Sequence, residues 1–148
     1  MPASYQRIIV PVNGSEGDAR ALAFVGDLVH RQQAAITLIY VVEVLQSMPL
    51  DAELPAEIDR GENVLHRAEE LAKSLITAKL ERVTTDLLQA RSAGAAIVDE
   101  AIERNAQAIV MATTNRVKHG KTTMGETAAY VIKNAPCEVI VIRLAQAD

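Results

Sequence analysis

Hydrophobic residues alternate between two patterns along this chain. Four short runs, at 7–12, 36–42, 108–112 and 139–142, are almost continuously apolar and rich in β-branched residues. That pattern is typical of strands that are covered on both faces of a parallel sheet. A fifth segment at 83–89 is more mixed and predicts an edge strand.

Between these runs the apolar positions recur with helical spacing, in stripes within 21–29, 64–76, 97–102 and 128–135. Ser15 followed by Asp18 predicts a capping box at the start of the first helix. Pro136 predicts the end of the last helix, because proline disfavours helical geometry in the residue before it.

One irregular stretch, 45–55, interrupts the alternation and contains Pro49 and Pro55. It is expected to delay the second helix to about Asp59. A loop of this length inside a compact domain is often a lid or a binding loop, but it is equally compatible with mobile packing. The segment 45–58 is the predicted cover of any nearby site.

The element order β-α-β-α-β-α-β-α-β predicts an α/β fold. Such alternation implies a five-stranded parallel sheet with right-handed crossovers and helices on both faces, which is a Rossmann-like arrangement. The length of 148 residues fits a single domain over 1–148.

Composition narrows the class of protein. The chain is 49% hydrophobic, which excludes intrinsic disorder, and its one cysteine, Cys137, excludes a disulfide framework. No apolar run approaches the roughly 20 residues of a membrane span, and the first residues lack a signal-peptide pattern. A soluble, cytoplasmic protein is expected, with Cys137 as a small buried thiol at the sheet end opposite any ligand.

Charge is unevenly distributed around a net value of −4, which argues against a nucleic-acid binder. The segment 43–70 holds eight acids against two bases, whereas 112–121 holds no acid. Four basic or titratable residues lie in that second segment, namely Arg116, Lys118, His119 and Lys121. A charge cluster is most often a solvated surface, so its position in the fold decides its meaning.

Ligands of open α/β sheets bind at the carboxyl ends of the strands, where the strand order reverses. That rule selects 11–15, 41–43 and 112–127. Gly14 permits a tight turn after the first strand, and its neighbouring N–H groups either hold an anion or simply complete the turn. Segment 112–127 joins glycines, threonine hydroxyls and cations ahead of a helix that starts near Gly125, which predicts an anion site but no P-loop.

The sequence shows no combination of side chains that is typical of a catalytic site. His30 and His66 fall within separate helical patterns, and no Cys–His or Ser–His–Asp arrangement is expected. Glu43 and Asp99 are candidates for a metal bound with a nucleotide, but surface carboxylates are commoner. The sequence therefore predicts neither catalytic residues nor a metal site.

Several segments together resemble the universal stress protein family. They are Ile-Ile-Val-Pro-Val-Asn-Gly-Ser-Glu at 8–16, Leu-Ile-Tyr-Val-Val-Glu at 38–43, and Gly-Ala-Ala-Ile-Val-Asp-Glu-Ala at 94–101. Two more are Ala-Gln-Ala-Ile-Val-Met at 106–111 and the ending Asn-Ala-Pro-Cys-Glu-Val-Ile-Val-Ile-Arg at 134–143. The resemblance covers nearly the whole chain.

The resemblance implies strand order 3-2-1-4-5, an adenine nucleotide alpha hydrolase-like fold, and a homodimer formed by the last strands, between Val139 and Arg143. Some members bind ATP or AMP. Their Gly-x-x-Gly-x₉-Gly-Ser/Thr pattern corresponds here to Ala112, Asn115, Gly125 and Glu126, so only Gly125 is retained. Asn13 stands where an adenine-reading Asp is expected.

These departures predict a diverged pocket that senses ATP, AMP or a cyclic nucleotide. The alternatives are a ligand-independent interaction protein, for example one that regulates a membrane transporter, and, with less support, a slow ATPase. Few aromatics lie near the crevice, which favours a mononucleotide over stacked single-stranded nucleic acid. The expected ligand-binding residues are Pro11, Val12, Asn13, Gly14, Val41, Ala112, Thr113, Thr114, Asn115, Arg116, Lys118, Gly120, Lys121, Thr122, Thr123, Gly125, Glu126 and Thr127.

Overall fold

The computed structural model describes residues 5–29, 33–76, 80–114, 116–118, 121–123 and 125–145. The strands are β1 (Arg7–Pro11), β2 (Ala34–Glu43), β3 (Leu80–Ala90), β4 (Ala108–Thr114), β5 (Arg116–Lys118), β6 (Lys121–Thr123) and β7 (Glu138–Leu144). The helices are α1 (Gly17–Leu28), α2 (Pro55–Leu75), α3 (Ala93–Glu103) and α4 (Glu126–Asn134).

Five strands form one parallel sheet in the order β3-β2-β1-β4-β7, which confirms the predicted α/β fold and its 3-2-1-4-5 strand order. The chain starts in the middle of the sheet and builds outward first through β2 and β3, then through β4 and β7. The order therefore reverses between β1 and β4, and the crevice rule applies to the carboxyl ends of these two strands. Strand β3 lies at one edge, as predicted, and β7 at the other.

Two hydrophobic cores fill the two faces of the sheet. On one face Val10 and Leu38 pack with Leu22 of α1 and Ala68 of α2. On the other face the cluster around Ile9 and Ile109 includes α3 and α4 residues, among them Ile97 and Val131. Aliphatic residues that project alternately from the same strands thus bury both faces, which explains their continuous apolar pattern.

The second helix begins at Pro55 instead of about Asp59, so the predicted start is wrong. Proline at the first helical position loses no hydrogen bond, because that N–H has no partner within a helix, and its fixed φ suits the first turn. The connection before α2 is correspondingly shorter. Pro136 does close the last helix, since α4 ends at Asn134 and Ala135 is extended.

The connection before α2 is attached to the end of β3. Gln89 Nε2 donates hydrogen bonds of 3.1 Å to the carbonyl oxygens of both Leu50 and Ala52. Arg91 donates to the carbonyl oxygens of Val44 and Leu45. None of residues 45–58 lines the crevice described below, and that this segment covers the site stays a prediction.

Segment 112–127 contains the end of β4 and two further short strands. Thr113 and Thr114 extend β4, and β5 pairs with β6 as a two-stranded antiparallel hairpin. Threonine and valine favour extended geometry, which is consistent with these short strands. Within the described ranges, no helix has the length and apolar character needed to cross a membrane.

Candidate functional site

A crevice of about 760 Å³ opens at the carboxyl ends of β1, β2 and β4. Its volume is in the range of small-molecule sites. Half of the eighteen predicted ligand-binding residues line it. They are Pro11, Val12, Asn13, Val41, Ala112, Thr113, Gly125, Glu126 and Thr127.

The other nine predicted residues fall into three groups. Gly14 lies on the other side of the β1–α1 turn, in a second groove of about 620 Å³ between that turn and α2. Asn115 and Gly120 lie outside the described residues. The others belong to β4 and to the hairpin, where only the backbone is described, namely Thr114, Arg116, Lys118, Lys121, Thr122 and Thr123.

Sequence reasoning missed the wall that α3 supplies. Ala93 and Ile97 line the crevice, together with Met111 of β4 and Leu144 of β7. The apolar stripe of α3 was visible in the sequence, but only the fold shows that the start of this helix faces the switch point.

The β1–α1 turn is closed by its own side chains. The carboxylate of Asp18 accepts hydrogen bonds from the N–H groups of Asn13 (3.1 Å) and Gly14 (2.8 Å). Asn13 Oδ1 accepts from the N–H of Ser15 at 2.9 Å, and Ser15 Oγ accepts from the N–H of Gly17 at 3.2 Å. These N–H groups are therefore committed to internal acceptors, which favours the second of the two alternatives, that they complete the turn.

The same network corrects the predicted capping box. Helix α1 begins with Glu16 as the N-cap, and Asp18 bonds to the N–H groups of Asn13 and Gly14 instead of that of Ser15. Asp18 is only 8% exposed. Burial raises the pKa of this carboxyl, and the two backbone hydrogen bonds partly oppose that effect.

The start of α3 is closed in a similar way. Ser92 Oγ accepts a hydrogen bond from the N–H of Ala95 at 3.3 Å, and Glu43 Oε2 accepts one from the N–H of Ala93 at 2.9 Å. Glu43 thus works as a cap on α3. In the described part of the chain, no three or more His, Cys, Asp or Glu side chains are grouped as metal ligands.

The start of α4 differs from both. Its N-cap is Gly125, which has no side chain, and no described side chain caps the helix. Among the described residues, the N–H groups of its first turn therefore have no side-chain acceptor of the kind found at α1 and α3. Thr113, Glu126 and Thr127 lie beside Gly125 in the lining of the crevice.

Cys137 lies outside the crevice, just before the amino end of β7, as the sequence predicted. It is partly buried against the core of the α3–α4 face instead of fully buried. Desolvation, with a smaller contribution from the charge of Glu138, raises the pKa of its thiol. A thiol held in its neutral form is a weak nucleophile.

Comparisons with known proteins agree on one family. The model of the universal stress protein family matches residues 4–143. A universal stress protein of Methanocaldococcus jannaschii is 28% identical over 145 residues, which span 94% of this chain and 82% of the relative.

Solved structures give the same result. A universal stress protein from Archaeoglobus fulgidus is 25% identical with a TM-score of 0.72, and the match covers 93% of this chain and 98% of that one. A structure of the universal stress protein from the same organism in complex with dAMP has a TM-score of 0.69 at 22% identity, over 95% and 99% of the two chains. The chain belongs to the universal stress protein family.

Proposed function

We propose that this protein is a regulatory module that binds an adenine nucleotide or a related phosphate-bearing ligand in the crevice. The phosphate binds at the start of α4, near Thr113 and Thr127, and the base lies against Val12 and Val41. The observation that carries the proposal is the difference between three helix starts. Those of α1 and α3 are closed by the chain's own acceptors, whereas that of α4 is not capped by a described side chain.

The chemistry of the α4 start supports a phosphate ligand. N–H groups that no described side chain accepts from, together with the positive end of the helix dipole, favour an anion at this helix start. Two threonine hydroxyls lie beside them, and the three cations of the adjacent hairpin segment, Arg116, Lys118 and Lys121, carry charge of the opposite sign to phosphate.

The complex of dAMP with the structural neighbour from Archaeoglobus fulgidus supports a mononucleotide as the ligand class. The apolar side chains of Val12, Val41 and Ile97 supply a wall for a base, and the volume of about 760 Å³ accommodates a mononucleotide. We therefore expect ATP, AMP, dAMP or a cyclic nucleotide to bind without chemical conversion.

Titration calorimetry with ATP, AMP, dAMP and cyclic AMP tests this proposal. We expect at least one of them to bind with a dissociation constant below millimolar, and Thr127→Val to weaken that binding about five- to tenfold through loss of one hydroxyl contact. Thr85→Val is the matched control, because Thr85 is an exposed residue of β3 outside the crevice. Absence of heat with every nucleotide at millimolar concentration would refute the proposal.

A second candidate is a ligand-independent homodimer that acts by binding a protein partner. Glu126 favours it, because an exposed carboxylate lines the phosphate end of the crevice. The edge position of β7 is compatible with the predicted dimer through Val139–Arg143, which stays a prediction. Native mass spectrometry distinguishes the two candidates, since it reports the subunit number and any bound nucleotide together.

A further inference from the structure

The second groove, of about 620 Å³, lies between the β1–α1 turn and α2. Its volume is in the range of small-molecule sites. Its apolar lining consists of Ala19 of α1 and of Val64, Ala68 and Leu71 of α2. Ala68 is buried and the other three are partly exposed, so an apolar group in the groove would remove further aliphatic surface from water.

The charged residues of α2 are unevenly distributed around this groove. Arg60 and Arg67, the two bases of the acidic segment 43–70, both line it. Of the eight acids in that segment, Asp59 lines the groove and the others do not. Glu16 adds a carboxylate from the start of α1. The groove therefore presents charges of both signs beside its apolar lining.

Three polar residues form one row along α2. Asp59, Asn63 and Arg67 follow one another at intervals of four positions, so they lie on the same helix face. All three are exposed and line the groove. Eight residues of helix rise about 12 Å, a distance that the two charged side chains and one small molecule between them can span. Val64 and Ala68 follow Asn63 and Arg67 by one position and place an apolar row alongside.

The charges at the two ends of this row are not paired within the described part of the chain. Neither Asp59 nor Arg67 makes a side-chain hydrogen bond or an ion pair with a described residue, and the same holds for Arg60 and Glu16. Asp18 also lines the groove but differs, because its carboxylate already accepts hydrogen bonds from the β1–α1 turn. A ligand with one charge would be attracted to one end of the row and repelled by the other, whereas a zwitterion matches both ends.

We infer that the second groove is a binding site for an apolar α-amino acid. Its carboxylate binds the guanidinium of Arg67, and its ammonium group binds the carboxylate of Asp59. Its apolar side chain covers Val64 and Ala68. None of these four residues lines the crevice, so the inference does not depend on nucleotide binding there.

Three compounds with the same aromatic body test the inference at pH 7 on the full chain. Phenylalanine carries both charges, 3-phenylpropionate lacks the ammonium group, and 2-phenylethylamine lacks the carboxylate. Titrations followed by amide NMR should show phenylalanine binding at least about fivefold more tightly than either of the others, with shifts at Val64 and Ala68. Equal or tighter binding of a singly charged compound would overturn the inference, as would no binding of phenylalanine at about 10 mM.

Two exposed substitutions separate the two charges. Arg67→Gln should weaken phenylalanine and 3-phenylpropionate about three- to fivefold and leave 2-phenylethylamine unchanged. Asp59→Asn should weaken phenylalanine and 2-phenylethylamine to the same extent and leave 3-phenylpropionate unchanged. Unchanged phenylalanine affinity in both variants would overturn the inference.

Arg20→Gln and Glu62→Gln are the matched controls. They remove one positive and one negative charge at exposed residues of α1 and α2 that do not line the groove, so phenylalanine should bind them as it binds the unmodified protein. The affinity for AMP should be unchanged by Arg67→Gln and by Asp59→Asn. Failure of this inference therefore leaves the proposed function intact, and absence of nucleotide binding leaves this inference intact.

Discussion

The β1–α1 turn and the β4–α4 connection each combine a glycine, hydroxyl side chains and a helix start at the carboxyl edge of the sheet, but they use these features differently. At the first, Asp18 and Ser15 accept the N–H groups of the turn. At the second, Gly125 caps α4 without a side chain, and the first-turn N–H groups keep no described side-chain acceptor. The capacity of a helix start to bind an anion therefore depends on whether its backbone N–H groups already donate hydrogen bonds within the protein, because an N–H group that does so is not free to bind a ligand.

The two glycines differ in the same way. Gly14 has a φ of +86° and lies against α2, where a Cβ would come within 2.9 Å of Val64 Cγ2. Gly125 has a φ of −63°, and a Cβ there would lie 3.5 Å from Thr113 Oγ1, which is ordinary contact. The first glycine is required by the fold, and the second leaves room that a ligand can use.

The largest expected effect is on the closed turn. Asp18→Ala removes both acceptors of the N–H groups of Asn13 and Gly14, so we expect the free energy of unfolding to fall by about 2 to 3 kcal/mol. Urea unfolding measures this change. Asp27→Ala, at an exposed position in the last turn of α1, should change stability by less than about 0.5 kcal/mol. Equal effects of the two substitutions would show that the turn does not depend on Asp18.

Substitution of each glycine by alanine distinguishes an effect on stability from an effect on nucleotide binding. Gly14→Ala should lower the free energy of unfolding by about 1 to 2 kcal/mol, because the left-handed backbone and Val64 both disfavour a Cβ. Gly125→Ala should leave stability nearly unchanged but weaken nucleotide binding about tenfold, since the methyl group blocks approach to the helix start. Thermal unfolding and calorimetry on both variants check this, and a destabilised Gly125→Ala with normal affinity would contradict the comparison.

A smaller effect is expected at Glu126. Glu126→Gln removes a carboxylate from the phosphate end of the crevice, and AMP should bind about three- to fivefold more tightly at low salt. Adenosine, which lacks the phosphate, should show no gain. Glu103→Gln, at the far end of α3, is the control with the same charge change. A gain for adenosine as large as that for AMP would place Glu126 away from the phosphate.

The smallest effect is a pH dependence. The pKa of Asp18 is raised in the folded protein, mainly by burial, so the folded chain binds this proton more tightly than the unfolded chain does. The free energy of unfolding that Asp18 contributes therefore falls as the pH rises through the window just above the ordinary carboxyl pKa, and is constant above the folded-state pKa. Urea midpoints at pH 4 and pH 7 should show that Asp18→Asn lacks this slope. If the urea midpoints of the unmodified protein and of Asp18→Asn depend on pH to the same extent, another titratable group causes the dependence.

The sequence predicted the sheet well and the site only in part, for a physical reason. Buried parallel strands need apolar residues on both faces, so 7–12 and 108–112 carry a signal that local inspection finds. The crevice joins Asn13, Val41 and Gly125, which are distant in the chain and meet because parallel strands end at one edge. The switch-point rule anticipated that meeting, but it did not show which N–H groups were already bonded.

Local geometry accounts for the errors. Ser15 and Asp18 have the spacing of a capping box, but the positive φ of Gly14 turns the chain so that the carboxylate reaches the N–H groups of residues 13 and 14 instead of residue 15. The role of Glu43 as a cap on α3 joins residues 50 positions apart, which no periodicity reveals.

The sequence by itself determined the alternating elements, the two-faced aliphatic sheet and the family, because these follow from the period of hydrophobic residues and from local motifs. Only the tertiary structure decided that the β1–α1 turn is closed, that the start of α4 is not capped by a described side chain, and that the side-chain oxygen of Asn13 bonds to the N–H of Ser15. Those outcomes depend on hydrogen bonds that form when folding brings the partners within about 3 Å of one another.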